Sequence, residues 1–131
     1  MKKLTFAVIG ALLLTSSLLA HHSWGGVYDL HQQILLKGRV VKVTYRNPHS
    51  TLTIETRNSG TWEGEWTSWD GLSRQGIRAD TIKVGDVLEI LGCPSRTPDS
   101  RVVAVYFEVR RPADGWLWKS TEVWPGPRVI E

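Results

Sequence analysis

Ile34-Leu35-Leu36-Lys37-Gly38-Arg39-Val40-Val41-Lys42-Val43-Thr44-Tyr45-Arg46 carries the strongest architectural signal in the chain. It alternates and is rich in β-branched residues, but its apolar phase slips. Ile34, Leu36 and Val40 share one parity, whereas Val41, Val43 and Tyr45 share the other. A slip of one residue turns the following side chains to the opposite face of a sheet. Gly38 stands just before the slip, where a bulge or sharp coil absorbs the change. The pattern predicts one long bent strand serving two sheets.

Asn47-Pro48-His49 then supplies turn chemistry, and Leu52, Ile54 and Thr56 alternate against Thr51, Thr53 and Glu55 as a second strand. After the turn residues Asn58-Ser59-Gly60, a third strand places Trp62, Gly64 and Trp66 on one face and Glu63 and Glu65 on the other. The alternation breaks between Trp69 and Ile77. Ser68 or Asp70 can cap a short helix carrying Leu72, and Gly76 is placed to end it. Residues 87–91 form a mostly apolar fourth strand, and residues 101–109 a fifth, with Val103, Val105, Phe107 and Val109 on one face. Three strands, a short helix, then two strands is the order of an OB-fold, a five-stranded Greek-key barrel. The expected fold is therefore all-β, with a core of Val40, Ile54, Trp66, Leu72, Leu88, Ile90, Val103, Val105 and Phe107. Residues 34–111 make the barrel, residues 21–33 an N-terminal segment, and residues 112–131 a tail able to pack through Trp116 and Trp118.

Residues 1–20 read as a secretory signal. Lys2 and Lys3 give a positive start, residues 4–14 an apolar core, and residues 15–20 a small-residue exit ending at Ala20. The apolar core is far short of the roughly 20 residues that span a bilayer. The expectation is export to the periplasm or beyond, cleavage after Ala20, and a mature chain starting at His21 with no membrane span. No cysteine follows the apolar core, which speaks against a lipid anchor.

Composition narrows the function. Removing Lys2 and Lys3 takes the formal charge from +3 to +1, so the mature protein has no basic excess for nucleic acid or anionic membrane. Cys93 is the only cysteine, which excludes an intramolecular disulfide. Seven tryptophans, all beyond the leader, supply apolar area instead. Enzyme signatures are missing: there is no H-E-x-x-H, phosphate loop or C-x-x-C. Gly71-Leu72-Ser73-Arg74-Gln75-Gly76 has one residue too many for a nucleophile elbow.

Ala20-His21-His22-Ser23-Trp24, Tyr28-Asp29, Leu36-Lys37-Gly38 with Val40, Asn47-Pro48-His49, Trp62 with Glu65, the helix at residues 72–76, Gly85-Asp86 and Asp114-Gly115 resemble an exported bacterial family catalogued as domain of unknown function 6152. The resemblance implies export and this fold, and carries no activity. It gives no counterpart to His31, and the connection from Cys93 to Ser100 is longer than the family's short turn.

The histidines offer chemistry. A first-residue histidine can chelate through its α-amine and Nδ1, and a second imidazole completes a three-nitrogen set suited to tetragonal Cu(II). His21 resembles the first ligand of histidine-brace copper proteins, and His22 or His49 could complete the site, with Glu65 a possible carboxylate ligand. About a dozen residues at about 3.3 Å each separate His22 from the first strand, so reach is permissive. The bland alternatives are a solvated His-His tail, a turn histidine at His49 and a solvated strand edge at Glu63 and Glu65. Cys93 reads more simply as a small buried hydrophobe than as a ligand. Trp62, Trp66 and Trp69 could form a ligand platform, but two of them, Trp62 and Trp66, share a strand face, which favours the core. The leading expectation is a periplasmic copper-binding protein. The competing one is a metal-free OB-like module for a protein or small-molecule ligand.

Overall fold

A computed structural model describes residues 24–121 and 129–130. Two short helices, α1 (Trp24–Val27) and α2 (Trp69–Arg74), accompany strands β1 (Gln33–Thr44), β2 (Thr51–Glu55), β3 (Thr61–Glu65), β4 (Val87–Pro94), β5 (Val102–Arg111), β6 (Trp116–Lys119) and β7 (Val129–Ile130). Hydrogen bonding runs β1-β2-β3-β5-β4 and returns to β1, which closes a five-stranded barrel. The β3–β5 pairing is parallel; the other four are antiparallel. This is the expected all-β, OB-like barrel, with α2 between the third and fourth strands.

β1 does serve two neighbours: its first half pairs with β4 and its second half with β2. The register slips between Val40 and Lys42, so the extra residue is Val41, which stays exposed. Of the two expected uses of Gly38, bulge or sharp coil, the structure shows the coil. A Cβ there would collide with the Glu55 carbonyl oxygen, so glycine lets β1 coil tightly across β2. α2 is capped as expected, the Ser68 side chain accepting from the Gly71 amide at 3.1 Å. Gly76 takes the left-handed conformation just beyond, at φ +84°.

The interior holds Val40, Ile54, Trp66, Leu72, Leu88, Ile90, Val103 and Val105, all expected, with Leu36, Leu52, Ile77, Ile82, Val109 and Trp118. Phe107 is the exception. Between the pairs Leu91↔Glu108 and Cys93↔Ala104, β5 contributes three residues against the single Gly92 of β4. This bulge turns Phe107 out of the interior, where it packs, half-buried, against an outer cluster. Simple alternation across β5 cannot show such an insertion. The residues after β5 extend the sheet: β6 forms a hairpin with β5, β7 pairs with β1, and Trp118 packs edge-on to Trp66 at 4.9 Å. No helix among the described residues is long and apolar enough to cross a membrane.

Candidate functional site

The site lies on the outer face of the barrel. Glu65 faces outward at the end of β3, opposite Thr51 of β2 and beside Ala104 of β5. The β2–β3 ladder continues past Thr51, with Trp66 donating its amide to the Ser50 carbonyl at 2.8 Å. His49, two residues before Thr51, therefore falls on the same face as Glu65. It follows the cis Asn47–Pro48 peptide, and its carbonyl accepts from Arg46 Nε at 3.2 Å.

His49 Nδ1 is hydrogen-bonded to Glu65 Oε1, and the Tyr28 hydroxyl donates to Glu65 Oε2. A carboxylate oxygen accepts, so the bond assigns Nδ1 as the donor, and in that tautomer the imidazole lone pair is on Nε2. Nε2 has no hydrogen-bond partner among the described residues. The Trp24 ring stacks on the imidazole at 5.4 Å and 14°, and tilts against Tyr28 at 5.3 Å. Two clefts flank the imidazole. One, of about 360 Å³, is lined by Trp24, Val27, Tyr28, His49 and Glu65. The other, of about 330 Å³, is more polar and includes Arg46, Asn47, Thr51 and Glu63.

Tyr28 and Trp24 come from the N-terminal segment, which docks across β4 and β5. Tyr28 bridges Ser95, and its ring lies buried with Cys93 and Ala104. The small Ala104, between Glu65 and Cys93 in the ladders, leaves the space that the ring fills. Burial, then the hydrogen bond to Glu65, raises the Tyr28 hydroxyl far above the usual phenol range. Burial, and secondarily Asp29, pushes the Cys93 thiol up to about 11. Cys93 has no exposed surface, so the hydrophobe reading fits its surroundings.

Of the sequence-derived candidates, His49 and Glu65 are brought together; His21 and His22 lie outside the described residues. Glu65 is no solvated edge, since β3 is paired on both sides and both carboxylate oxygens are engaged. Glu63 remains exposed. His31 is exposed, and its amide binds Asp29. The tryptophans form no platform: Trp66 is interior, Trp69 packs on Tyr45 at 4.8 Å, and Trp62 donates to Ser59 at 3.2 Å. Tyr28 and Trp24 join the site without a chemical signal of their own in the sequence, although both stand in the motifs that carry the family resemblance. No three His, Cys, Asp or Glu side chains gather as a metal cage among the described residues, so a metal at His49 needs donors from elsewhere.

The model of a family of unknown function, DUF6152, matches residues 11–103. No curated protein matches the chain.

Proposed function

The chain belongs to the DUF6152 family, and because that family has no assigned function we propose one from the geometry: an exported protein that binds Cu(II) at its outer face. His49 Nε2 is the fixed ligand. The α-amine and imidazole of His21 supply a chelate, with the His22 imidazole as a further donor. Glu65 acts through His49: by accepting from Nδ1 it fixes the tautomer and the ring direction, as carboxylates behind metal-bound histidines commonly do.

The observation that carries this reading is the stack of Trp24 on His49. Three residues of chain reach at most about 11 Å, so the backbone of His21 and His22 is tethered within that distance of a residue already lying on the imidazole. Reach changes from permissive to restrictive.

The test is isothermal titration of Cu(II) into protein with a processed His21 start. One ion should bind per chain. His49→Ala should weaken binding at least tenfold, and so should one added residue before His21, which removes the amine ligand. Equal binding by the extended form would defeat the chelate. A second reading, a metal-free module, is favoured by the cleft beside Trp24, Val27 and Tyr28, whose size suits a small organic ligand. Absence of Cu(II) binding by the processed protein would leave that reading in place.

A further inference from the structure

α1 has little stability of its own. It is a single turn, Trp24-Gly25-Gly26-Val27, with none of its residues buried. One glycine-rich turn does not hold in water, because nucleation is costly and glycine adds to the cost. Yet this turn presents the Trp24 ring to His49.

The support comes from the connection between β4 and β5. Arg96 donates its backbone amide to the Val27 carbonyl at 2.9 Å and its side-chain Nε to the Gly25 carbonyl at 2.9 Å. Its Nη2 lies 3.7 Å from Asp29 Oδ1. The carbonyls in the last turn of a helix lack intrahelical donors and need partners from elsewhere. Arg96 supplies donors to two of them. Asp29 donates to the Pro94 carbonyl at 2.9 Å and Tyr28 bridges Ser95, so the segment has a second attachment that does not use Arg96. The long connection after Cys93 thus has a physical use: it carries the residue that grips the chain start.

We propose that Arg96 is a positioning residue for the outer-face site, a latch that keeps Trp24 on His49. The latch itself stands on contacts among described residues; its consequence for Cu(II) rests on the copper reading. Tyr28 is the anchor, Gly25 and Gly26 are the pliable link, and the Arg96 guanidinium holds the link closed.

The test uses the full processed chain with Arg96→Ala and Arg96→Lys. By NMR, the His49 ring protons should carry an upfield shift from the stacked indole. That shift should be lost in R96A and partly kept in R96K, whose ammonium keeps the charge without the planar fork. Hydrogen exchange of the Tyr28 amide, which is bonded to the Trp24 carbonyl at 2.7 Å, should quicken about tenfold or more in R96A. Exchange of the β1–β4 ladder amides should stay as in the parent, which separates release of the latch from general unfolding. Unchanged His49 shifts and unchanged Tyr28 exchange in R96A would overturn the latch.

With Cu(II), the parent should bind at least tenfold more tightly than R96A. Equal affinities with Trp24 released would overturn the link between latch and site. Release of Trp24 in R96A, together with no Cu(II) binding by the parent, would uphold the latch and sink the copper reading instead.

Discussion

Inside the barrel, Val40, Trp66, Leu72, Leu88 and Ile90 have no exposed surface and belong to one cluster drawing on β1, α2, β4 and the end of β3. On the outer face, Tyr28 of the N-terminal segment is buried together with Cys93 and Ala104, and their neighbours Trp24, Leu30, Val102 and Phe107 remain partly exposed. The interior uses area; the outer cluster uses a few directed bonds, from Tyr28 to Glu65, from His49 to Glu65 and from Arg96 to α1. Burial of apolar area stabilises without regard to direction, whereas hydrogen bonds fix which atom faces which. The difference explains why the site lies on the outer cluster. A chemical site needs direction, and the outer cluster supplies it.

The comparison breaks if truncation costs the same in both places. Trp66→Ala should lower stability by about 3–5 kcal/mol, the range for a fully buried large side chain, as read from urea denaturation. Phe107→Ala should cost clearly less, about 2 kcal/mol, because part of its ring is in water already. Equal losses would mean that the β5 bulge does not turn Phe107 outward.

The outer cluster should also be the more sensitive to alkali. The Cys93 thiol titrates near 11 in the folded chain against an ordinary value of 9.0. Between these limits the unfolded chain has lost the proton and the folded chain retains it. Stability is therefore full below about pH 9 and falls by about 1.4 kcal/mol per pH unit until about pH 11. Comparing urea midpoints at pH 8.5 and 10.5 should show the fall in the parent and a smaller one in Cys93→Ala. Identical falls would place the alkali-sensitive group elsewhere. The smallest effect is expected at Val41, the unpaired and exposed residue of β1: Val41→Thr should shift stability by about 0.5 kcal/mol or less. A larger loss would show that its side chain is covered.

Apolar alternation and turn residues determined the barrel. The parity change in β1, the Ser68 cap, Gly76 and the apolar faces of β3 and β4 are local patterns, and each specifies its own element through the periods of strand and helix. The same local reading misassigned Phe107, because a bulge leaves no mark on the parity of the residues around it. It also put His49 in a turn and Glu65 on a strand's outer face, and offered both to one site, without showing that the two side chains touch. Their union needs the β2–β3 ladder to bring together residues 16 apart in sequence, and Tyr28 reaches Glu65 across 37. The sequence by itself settled most of the inward-facing residues, since burial follows from periodicity wherever no bulge intervenes. Only the tertiary structure decided which outward-facing residues meet, because ladder register and the docking of a distant segment are set by long-range contacts that no window of the chain contains.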